Sequence, residues 1–188
     1  MTAQRTRALL ERSGAVLHGH FELTSGRHSD VYVQKARVFE DPEATMELAR
    51  EIASWYPDGV DVVVAPAVGA IALGFAVALA AGARSIFAER EGGEMRLRRG
   101  FFVRPGERAL VVEDVVTTGG SARDVYELVS RSGATIAGVA AVVDRAGGDV
   151  GFPMRAALRI DARSWEPAEC PLCADGVPLD SPGSRHVV

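Results

Sequence analysis

The sequence contains very little cysteine and lysine, and it lacks both a long basic run and an unbroken apolar segment. Only two cysteines are present, and Lys35 is the one lysine among 21 basic residues. The net charge of −4 and the absence of a basic run argue against nucleic acid as a partner. The longest apolar stretch, residues 60–83, is interrupted by proline and glycine, which favours a buried strand and helix over a membrane span.

The N-terminal residues lack the apolar core of a secretion signal, so we expect a cytoplasmic protein. A chain of 188 residues buries enough surface to fold without disulfides or metals. No internal repeat or low-complexity segment divides it. We therefore predict a single domain over residues 1–180 and a disordered tail over residues 181–188.

Cys170 and Cys173 form a C-x-x-C pair within a proline-rich C-terminal segment. Such a pair supplies half of a structural zinc site, and no histidine lies nearby in the sequence before His186. A thioredoxin-like redox pair would open a helix that follows a strand, whereas Pro171 directly follows Cys170. Two interpretations remain open: an inert structural pair, which we favour, and a zinc site shared between subunits.

Apolar runs that alternate with helical patterns indicate the fold. Strands are predicted over residues 60–65, 84–88, 109–112 and 135–144, and helices over residues 5–13, 70–81 and 121–132. Asp41-Pro42-Glu43 predicts the start of a further helix, and β-like segments over residues 21–24 and 31–34 flank a loop. The strand–helix–strand repetition predicts an α/β protein with a central parallel sheet flanked by helices. The polar residues 89–100 fit either a mobile loop or a solvated hairpin between two strands.

The stretch from Ala109 to Ser121, ALVVEDVVTTGGS, is the most informative motif. A buried strand ends in two acids, and a Thr/Gly-rich turn leads into a helix, so backbone N–H groups and the positive helix end converge as in a phosphate site. Carboxylates beside such a turn can accept hydrogen bonds from sugar hydroxyls. The same residues also fit an ordinary strand–turn–helix link with capping hydroxyls, or another type of nucleotide site. Neither the P-loop pattern nor G-x-G-x-x-G is present.

This motif resembles the signature of the type I phosphoribosyltransferases, which bind 5-phosphoribosyl 1-diphosphate (PRPP). The resemblance implies that Glu113 and Asp114 are the catalytic acids and hold the ribose 2′- and 3′-hydroxyls, while the Thr/Gly loop holds the 5′-phosphate. Residues 65–69 are similar to the loop whose backbone meets the diphosphate in that family. The PRPP-binding residues implied are Glu113, Asp114, Val115, Val116, Thr117, Thr118, Gly119, Gly120, Ser121, Val68, Gly69 and Arg90.

Two further segments resemble the orotate-using branch of this family. Residues 20–29, HFELTSGRHS, are similar to its F-x-L-x-S-G-x-x-S segment, and residues 143–145 are similar to the strand end from which an arginine meets orotate. A guanidinium suits this role because it can grip both oxygens of a carboxylate. Taken by itself, Arg145 fits better a surface arginine that pairs with Asp144 or Asp149. The orotate-binding residues implied by the resemblance are Thr117, Arg145 and Tyr32.

The resemblance implies the type I phosphoribosyltransferase fold, with a small hood contributed by about residues 15–40 and the C-terminal segment. The implied reaction transfers phosphoribosyl from PRPP to orotate, giving orotidine 5′-monophosphate and diphosphate in de novo pyrimidine (UMP) biosynthesis. Mg²⁺ is the implied cofactor, held through PRPP, with Asp114 as the protein group nearest to such a role. A homodimer is also implied, in which the loop over residues 89–100 is shared across the interface.

Three positions depart from the pattern of the orotate branch. Thr24 stands where its members usually carry a cation, Val68-Gly69 stands where many have an aromatic residue and a lysine, and the loop after Ala88 is shortened without lysine or histidine. Each missing cation weakens the expected grip on a diphosphate. Two alternatives therefore stay open: a phosphoribosyltransferase for another base such as a purine, and a PRPP- or nucleotide-sensing protein without turnover.

Overall fold

The computed structural model describes residues 2–23 and 25–182 of the chain. In chain order its helices and strands are α1 (Ala3–Arg12), β1 (Val16–Glu22), β2 (His28–Val33), α2 (Ala36–Phe39), α3 (Pro42–Ser54), β3 (Val62–Pro66), α4 (Ile71–Ala81), β4 (Arg84–Glu91), β5 (Glu94–Leu97), β6 (Arg108–Val116), α5 (Gly120–Arg131), β7 (Thr135–Asp144), β8 (Met154–Arg159), β9 (Ser164–Trp165) and α6 (Pro171–Ala174). Across the described ranges, no helix combines the length and apolar character needed to cross a lipid bilayer.

A six-stranded sheet in the order β5-β4-β3-β6-β7-β8 forms the centre of the molecule. Neighbouring strands are parallel except β5, which pairs antiparallel with β4. Alternate residues of β3 and β6 belong to two separate apolar clusters, one containing α3 and α4 residues and the other containing α5 residues. Helices therefore cover both faces of the sheet, which explains the continuous apolar runs of its strands. The predicted α/β fold is confirmed.

The helix ends follow from local capping. Asp41 Oδ1 accepts hydrogen bonds from the backbone N–H groups of Glu43 at 2.9 Å and Ala44 at 3.2 Å, and Pro42 opens α3. Gly82 ends α4 in the left-handed conformation, with a φ of 68°. These local signals explain why the helices lie close to their predicted bounds.

The two ends of the chain together form a second sheet of three strands, in the order β1-β2-β9, which we call the hood sheet. Strands β1 and β2 form an antiparallel hairpin, and β9 pairs with β2 from far downstream. The C-terminal segment then runs beside β1, where the Asp180 N–H donates to the His20 carbonyl at 2.8 Å. In the tail predicted to be disordered, Ser181 Oγ donates to Glu22 Oε2 at 2.8 Å, and residues 183–188 lie outside the described residues.

Residues 89–100 lie largely in an antiparallel hairpin. The strand predicted to end at Ala88 continues to Glu91, and β5 pairs back on it after a two-glycine turn. Met95 is buried against the central sheet, and Glu89 is joined to Arg99 by two hydrogen bonds of 2.8 and 2.9 Å. The hairpin alternative is therefore the one that the structure shows. The sequence patterns also do not predict α2, α6, β8 or β9, which are short or stabilised by distant partners.

Candidate active site

The carboxyl ends of β3, β6 and β7 meet at one edge of the central sheet. From this edge the chain enters the loop before α4, the Thr/Gly loop before α5, and the segment that begins with Arg145. Ligands of open α/β sheets bind in the crevice outside such strand ends. The separate sequence motifs therefore converge on one place.

Glu113 and Asp114 are both buried near the end of β6, with exposed fractions of 7% and 1%. Asp114 Oδ1 accepts a hydrogen bond from the Val115 N–H at 2.6 Å, and Glu113 Oε1 accepts one from the Asp114 N–H at 3.1 Å. Burial, and then the adjacent Asp114 carboxylate, raise the pKa of Glu113 to about 8. Glu113 is therefore largely protonated at neutral pH and can donate as well as accept a hydrogen bond.

Lys35 lies beside Asp114, after the end of β2. Its Nζ is 2.8 Å from Asp114 Oδ2, a buried oxygen that has no well-oriented hydrogen bond within the described ranges. Gly69 leaves room for this pair, because an added Cβ would lie within 3.0 Å of both Asp114 Oδ2 and Lys35 Nζ. Lys35 therefore places a cation beside the loop position where the expected lysine is replaced by Gly69.

The Thr/Gly loop leaves the start of α5 open to a ligand. Gly119 precedes the helix with a φ of 76°, and no side chain in the described part of the chain caps the helix there. A Cβ on Gly119 would also lie 3.1 Å from the Val150 side chain. Both the positive φ and the lack of space for a side chain therefore favour glycine at this position. Free N–H groups at a helix start, beside three hydroxyl groups, suit a phosphate. A pocket of about 70 Å³ here is lined by Glu113, Val115, Val116, Thr117, Thr118, Gly119, Gly120, Ser121 and Ala122.

A second cavity, of about 440 Å³, adjoins the Thr/Gly loop. It is lined by Leu23, Ser25, Arg27, Tyr32, Thr117, Thr118, Arg145, Ala162 and Ser164. Residues of the hood sheet and of the segments that follow β6 and β7 therefore share its walls. The three residues predicted to bind orotate all line this cavity, which we call the base cavity, and Thr117 and Thr118 also line the phosphate-sized pocket.

Arg145 places a half-buried positive charge in the wall of the base cavity, where the Asp30 carboxylate is near enough to act on that charge. No hydrogen bond or ion pair from a described residue engages its guanidinium, while Asp144 and Asp149 accept hydrogen bonds from backbone N–H groups at 2.8 and 2.7 Å. The alternative in which Arg145 pairs with Asp144 or Asp149 is therefore wrong. Burial lowers the pKa of Arg145 from its usual value, so a bound anion would offset the cost of burying this cation.

Arg90 and Val68, two of the residues predicted to bind PRPP, line neither of the two cavities. Arg90 on β4 has its Nη2 atom 2.6 Å from Oδ2 of Asp124 on α5. Val68 lies in the loop before α4 and is 82% exposed. Thr24 lies outside the described residues. The parts of Arg90 and Val68 in PRPP binding stay predictions.

Cavity size alone does not identify the site. A cleft of about 640 Å³ lies between α1 and the start of α3, and charged side chains such as Arg12, Arg37 and Glu43 line it. None of the residues predicted to bind PRPP or orotate lines this cleft. The smaller cavities at the strand ends hold the convergent chemical groups.

Lys35, Arg27 and Ser164 lie at the site although none of them was among the predicted binding residues; Arg27 lay within the quoted segment of residues 20–29. Arg27 Nε donates a hydrogen bond to Ser164 Oγ at 3.1 Å in the wall of the base cavity. Lys35 could have been singled out from the sequence because it is the one lysine of the chain. Nothing in the sequence around Ser164 indicated its place at the site, because Ser164 reaches the hood only through the pairing of β9 with β2.

Comparison with known proteins identifies the family. Residues 38–151 match the family described as Phosphoribosyl transferase domain. The chain is 49% identical to orotate phosphoribosyltransferase of Pelotomaculum thermopropionicum over 190 residues, with 100% of both chains covered. It is 51% identical to that of Thermotoga petrophila, covering 94% of this chain and 96% of the relative. The structure of Mycobacterium tuberculosis orotate phosphoribosyltransferase in complex with Fe(III) dicitrate matches with a TM-score of 0.68 and 32% identity, over 82% of this chain and 96% of that one. The chain therefore belongs to the phosphoribosyltransferase family and, within it, to the orotate phosphoribosyltransferases.

Proposed function

We propose that this protein transfers the phosphoribosyl group of PRPP to orotate, giving orotidine 5′-monophosphate and diphosphate, a step of de novo pyrimidine (UMP) biosynthesis. The observation that carries the proposal is that two cavities lie side by side and share Thr117 and Thr118 in their walls. One is a phosphate-sized pocket at a helix start, and the other contains the half-buried Arg145. A product with a phosphate at one end and a carboxylated ring at the other matches this pair of cavities.

The reaction needs positioning and charge stabilisation more than covalent participation by the protein. The bond from the anomeric carbon to diphosphate breaks, a ring nitrogen of orotate forms the new bond, and positive charge develops on the ribose. Holding the two reactants in line supplies much of the rate. Asp114 and Glu113 would bind the ribose hydroxyls, and the negative charge of Asp114 would favour the developing positive charge. Arg145 would hold the orotate carboxylate through paired hydrogen bonds.

Mg²⁺ is the cofactor we propose, and the donor set fits an ion held mainly by substrate. Mg²⁺ takes about six oxygen ligands, and usually only one or two of them are protein carboxylates. The buried Asp114 Oδ2 lacks a well-oriented hydrogen bond, so it is the protein oxygen best suited to face the ion. When bound, Mg²⁺ would neutralise part of the charge of the leaving diphosphate. PRPP and water would supply the other ligands.

Lys35 is the cation that lies at the acid pair, and we expect it to act on the diphosphate. Its ammonium group already lies at the acid pair, 2.8 Å from Asp114. The hairpin arginines are engaged elsewhere, because Arg90 pairs with Asp124 and Arg99 pairs with Glu89. These arginines would have to exchange partners before they could compensate for the cations missing at Thr24 and Gly69.

The test of the function follows orotate absorbance in the ultraviolet after mixing protein, orotate, PRPP and Mg²⁺. We expect turnover that stops when Mg²⁺ is chelated, and no diphosphate release when a purine replaces orotate. Turnover with a purine but not with orotate would overturn the proposal. Tight PRPP binding without diphosphate release in the presence of any base would instead establish a sensor.

Arg145→Ala tests the assignment of the base cavity. Losing a charge-assisted bidentate contact costs about 1.5–3 kcal/mol, so we expect the KM for orotate to rise about 10- to 100-fold. The KM for PRPP should change little in steady-state assays. Arg159→Ala is a matched control, because Arg159 is an exposed arginine on β8 whose Nε lies 3.2 Å from Asp161. An unaltered orotate KM in Arg145→Ala would remove Arg145 from this role.

We also propose that the protein is a homodimer in the cytoplasm. Phe75 and Leu79 lie one turn apart on α4 with exposed fractions of 62% and 63%, and neighbouring exposed apolar side chains favour a surface that a partner covers. The hairpin of β4 and β5 is the segment that we expect to reach across the interface. The cytoplasmic location rests on the sequence alone.

A further inference from the structure

Four side chains with metal-binding atoms form a cluster in the hood, and none of them lines the base cavity or the phosphate-sized pocket. His20 on β1, His28 on β2, Cys170 and Cys173 hold their ligand atoms within 4.8 Å of one another. Both cysteines are free, and all members except Cys173 are buried. The C-x-x-C pair therefore meets two histidines of its own chain, without a partner subunit, whereas His186 lies outside the described residues.

Four of the six separations among the ligand atoms are close to those of a tetrahedral metal site, and all six lie within 4.8 Å. His20 Nε2 lies 3.0 Å from His28 Nδ1, 3.5 Å from Cys170 Sγ and 3.7 Å from Cys173 Sγ. Cys173 Sγ lies 3.2 Å from His28 Nδ1. Zinc bonds of about 2.0–2.1 Å to nitrogen and about 2.3 Å to sulfur give tetrahedral separations of about 3.3 Å for N–N and about 3.6 Å for N–S. The observed distances scatter around these values.

Hydrogen bonding alone does not account for these contacts. His20 Nδ1 lies 2.8 Å from the Val177 carbonyl oxygen, which can only accept, so Nδ1 carries the ring proton and Nε2 presents a lone pair to the cluster. That single lone pair faces His28 and both cysteines, although it can accept one strong hydrogen bond. One metal ion at the centre would satisfy all of them. A backbone carbonyl behind the distal ring nitrogen is also the usual support of a metal-bound histidine.

The charge and the surroundings favour zinc. Two thiolates and two neutral imidazoles around Zn²⁺ give a complex with no net charge, which can be buried at low cost. Apolar packing holds the C-terminal segment only weakly, because Cys170 is the one buried residue of the described residues 161–182. Val177 and Leu179 are exposed. A metal crosslink would supply the stability that this segment lacks in apolar contacts.

We propose that His20, His28, Cys170 and Cys173 bind one structural Zn²⁺ ion that fastens the C-terminal segment to the hood sheet. Binding forms two Zn–N and two Zn–S bonds and releases the thiol protons to solvent. Four protein ligands leave no open position, which is the pattern of a structural rather than a catalytic zinc. Because β9 pairs with β2 and Ser164 lines the base cavity, the ion would also steady one wall of that cavity.

The first test is the metal content of the full-length protein, expressed with zinc in the medium and purified under reducing conditions. Elemental analysis should give one zinc per chain. After exchange with Co²⁺, the spectrum should show the d–d bands of tetrahedral cobalt and a thiolate-to-cobalt charge-transfer band. Protein that carries no zinc and gives no thiolate-to-cobalt band would overturn the proposal. So would a Cys170–Cys173 disulfide in protein isolated without reductant, detected by mass spectrometry.

Variants locate the site. Cys173→Ala removes a ligand whose residue is exposed, so little packing is lost; we expect zinc to be lost and the melting temperature to fall by about 5 °C or more. A chelator should lower the melting temperature of the wild type but not that of Cys173→Ala. Cys173→His should keep the metal with a weaker charge-transfer band. His18→Ala is the matched control, because His18 is an exposed histidine on β1, the strand that carries His20. Cys173→Ala that retains one zinc per chain would contradict the assignment, and none of these measurements depends on turnover.

Discussion

The Asp114 carboxylate is 1% exposed, and the Lys35 ammonium, 2.8 Å away, is the cation that compensates it. Removing one partner of a buried pair leaves an uncompensated charge, which is the costly half of such an interaction. The Lys35 side chain is itself 45% exposed, so solvent screens part of the attraction. We therefore expect this pair to matter more for binding a polyanionic substrate than for folding.

Lys35→Met tests this view of the acid pair. It removes the positive charge beside Gly69, so the KM for PRPP should rise about tenfold or more, the loss expected for one charge-assisted contact. Lys35→Arg should recover part of the affinity. Arg37→Met is the control, since Arg37 is exposed and its Nη1 lies 3.1 Å from Glu40 at the surface. Steady-state kinetics with varied PRPP measure the effect, and an unchanged KM in Lys35→Met would show that the charge plays no part in binding.

Glu113→Gln should change how stability depends on pH. The pKa of Glu113 is raised from 4.5 to about 8 by burial, so the folded state holds this proton more tightly than the unfolded state does. The stability that Glu113 contributes is full below the unfolded value and is lost as the pH rises through the folded value. Glutamine does not ionise. The free energy of unfolding of Glu113→Gln, taken relative to that of the wild type, should therefore rise by about 1–3 kcal/mol between about pH 5 and pH 8.

Urea denaturation at several pH values measures this difference. Glu43→Gln, at an exposed position in the first turn of α3, is the control for the loss of a carboxylate at the surface. A Glu113→Gln difference that does not change with pH would mean that Glu113 ionises in the folded protein as it does in water.

At the scale of elements, the site is built from the connections that leave β3 and β6. These connections are short and turn sharply at glycine, so that backbone groups reach the ligand crevice: Gly69 follows β3, and Gly119 follows β6. The two glycines are needed for different reasons. Gly119 has a positive φ, whereas Gly69 is confined by the Asp114 and Lys35 side chains. A substitution at Gly69 therefore affects the acid pair more than the local backbone.

Gly69→Ala should lower activity with little change in fold stability. Its Cβ would lie within 3.0 Å of both charged groups, which must move apart, so we expect kcat/KM for PRPP to fall about tenfold or more. Gly148→Ala is the matched control, because a Cβ at Gly148 meets nothing within 4 Å and its φ is not positive. Kinetics and thermal melting of both variants measure the outcome. Full activity in Gly69→Ala would show that the pair adjusts without cost.

At the scale of the whole molecule, the base cavity depends on two sheets and on both ends of the chain. Tyr32 comes from the hood hairpin, Ser164 from the strand that closes the hood sheet, and Arg145 from the segment that follows β7 of the central sheet. Any change in how the hood sits on the central sheet would therefore alter the cavity. The exposed apolar residues Phe75 and Leu79 of α4 line neither cavity, and the proposed homodimer rests on them.

Replacing Phe75 and Leu79 together by glutamate should give a monomer. Burying two carboxylates without partners in an apolar interface is unfavourable, so association should be lost while the fold is kept. Sedimentation should give twice the chain mass of 19.9 kDa for the wild type and one chain mass for the double variant. Leu179→Glu, at an exposed leucine in the C-terminal segment, should leave the wild-type mass unchanged. A wild type that sediments as a single chain would disprove the homodimer.

Local chemistry made several features of this protein predictable from its sequence. Asp41 and Pro42 determine where α3 begins, and Gly82 determines where α4 ends, because caps and left-handed turns depend on a few adjacent residues. The continuous apolar runs of β3 and β6 predicted strands buried on both faces. The acids near the end of β6 and the threonines and glycines after it predicted a phosphate site from one short segment, and phosphate binding there stays a prediction.

Only the tertiary structure decided which distant residues complete the candidate active site and the proposed zinc site. Lys35 reaches Asp114, Ser164 reaches the base cavity, and the histidines of the hood reach the cysteines of the C-terminal segment, across separations in sequence that no local pattern spans. The sequence also left open whether residues 89–100 form a loop or a hairpin, because they contain no apolar repeat. The pairing of β5 with β4 and the burial of Met95 hold the hairpin together. Local sequence sets backbone conformation through short-range sterics and hydrogen bonds, whereas these contacts exist only once two sheets and both chain ends have packed together.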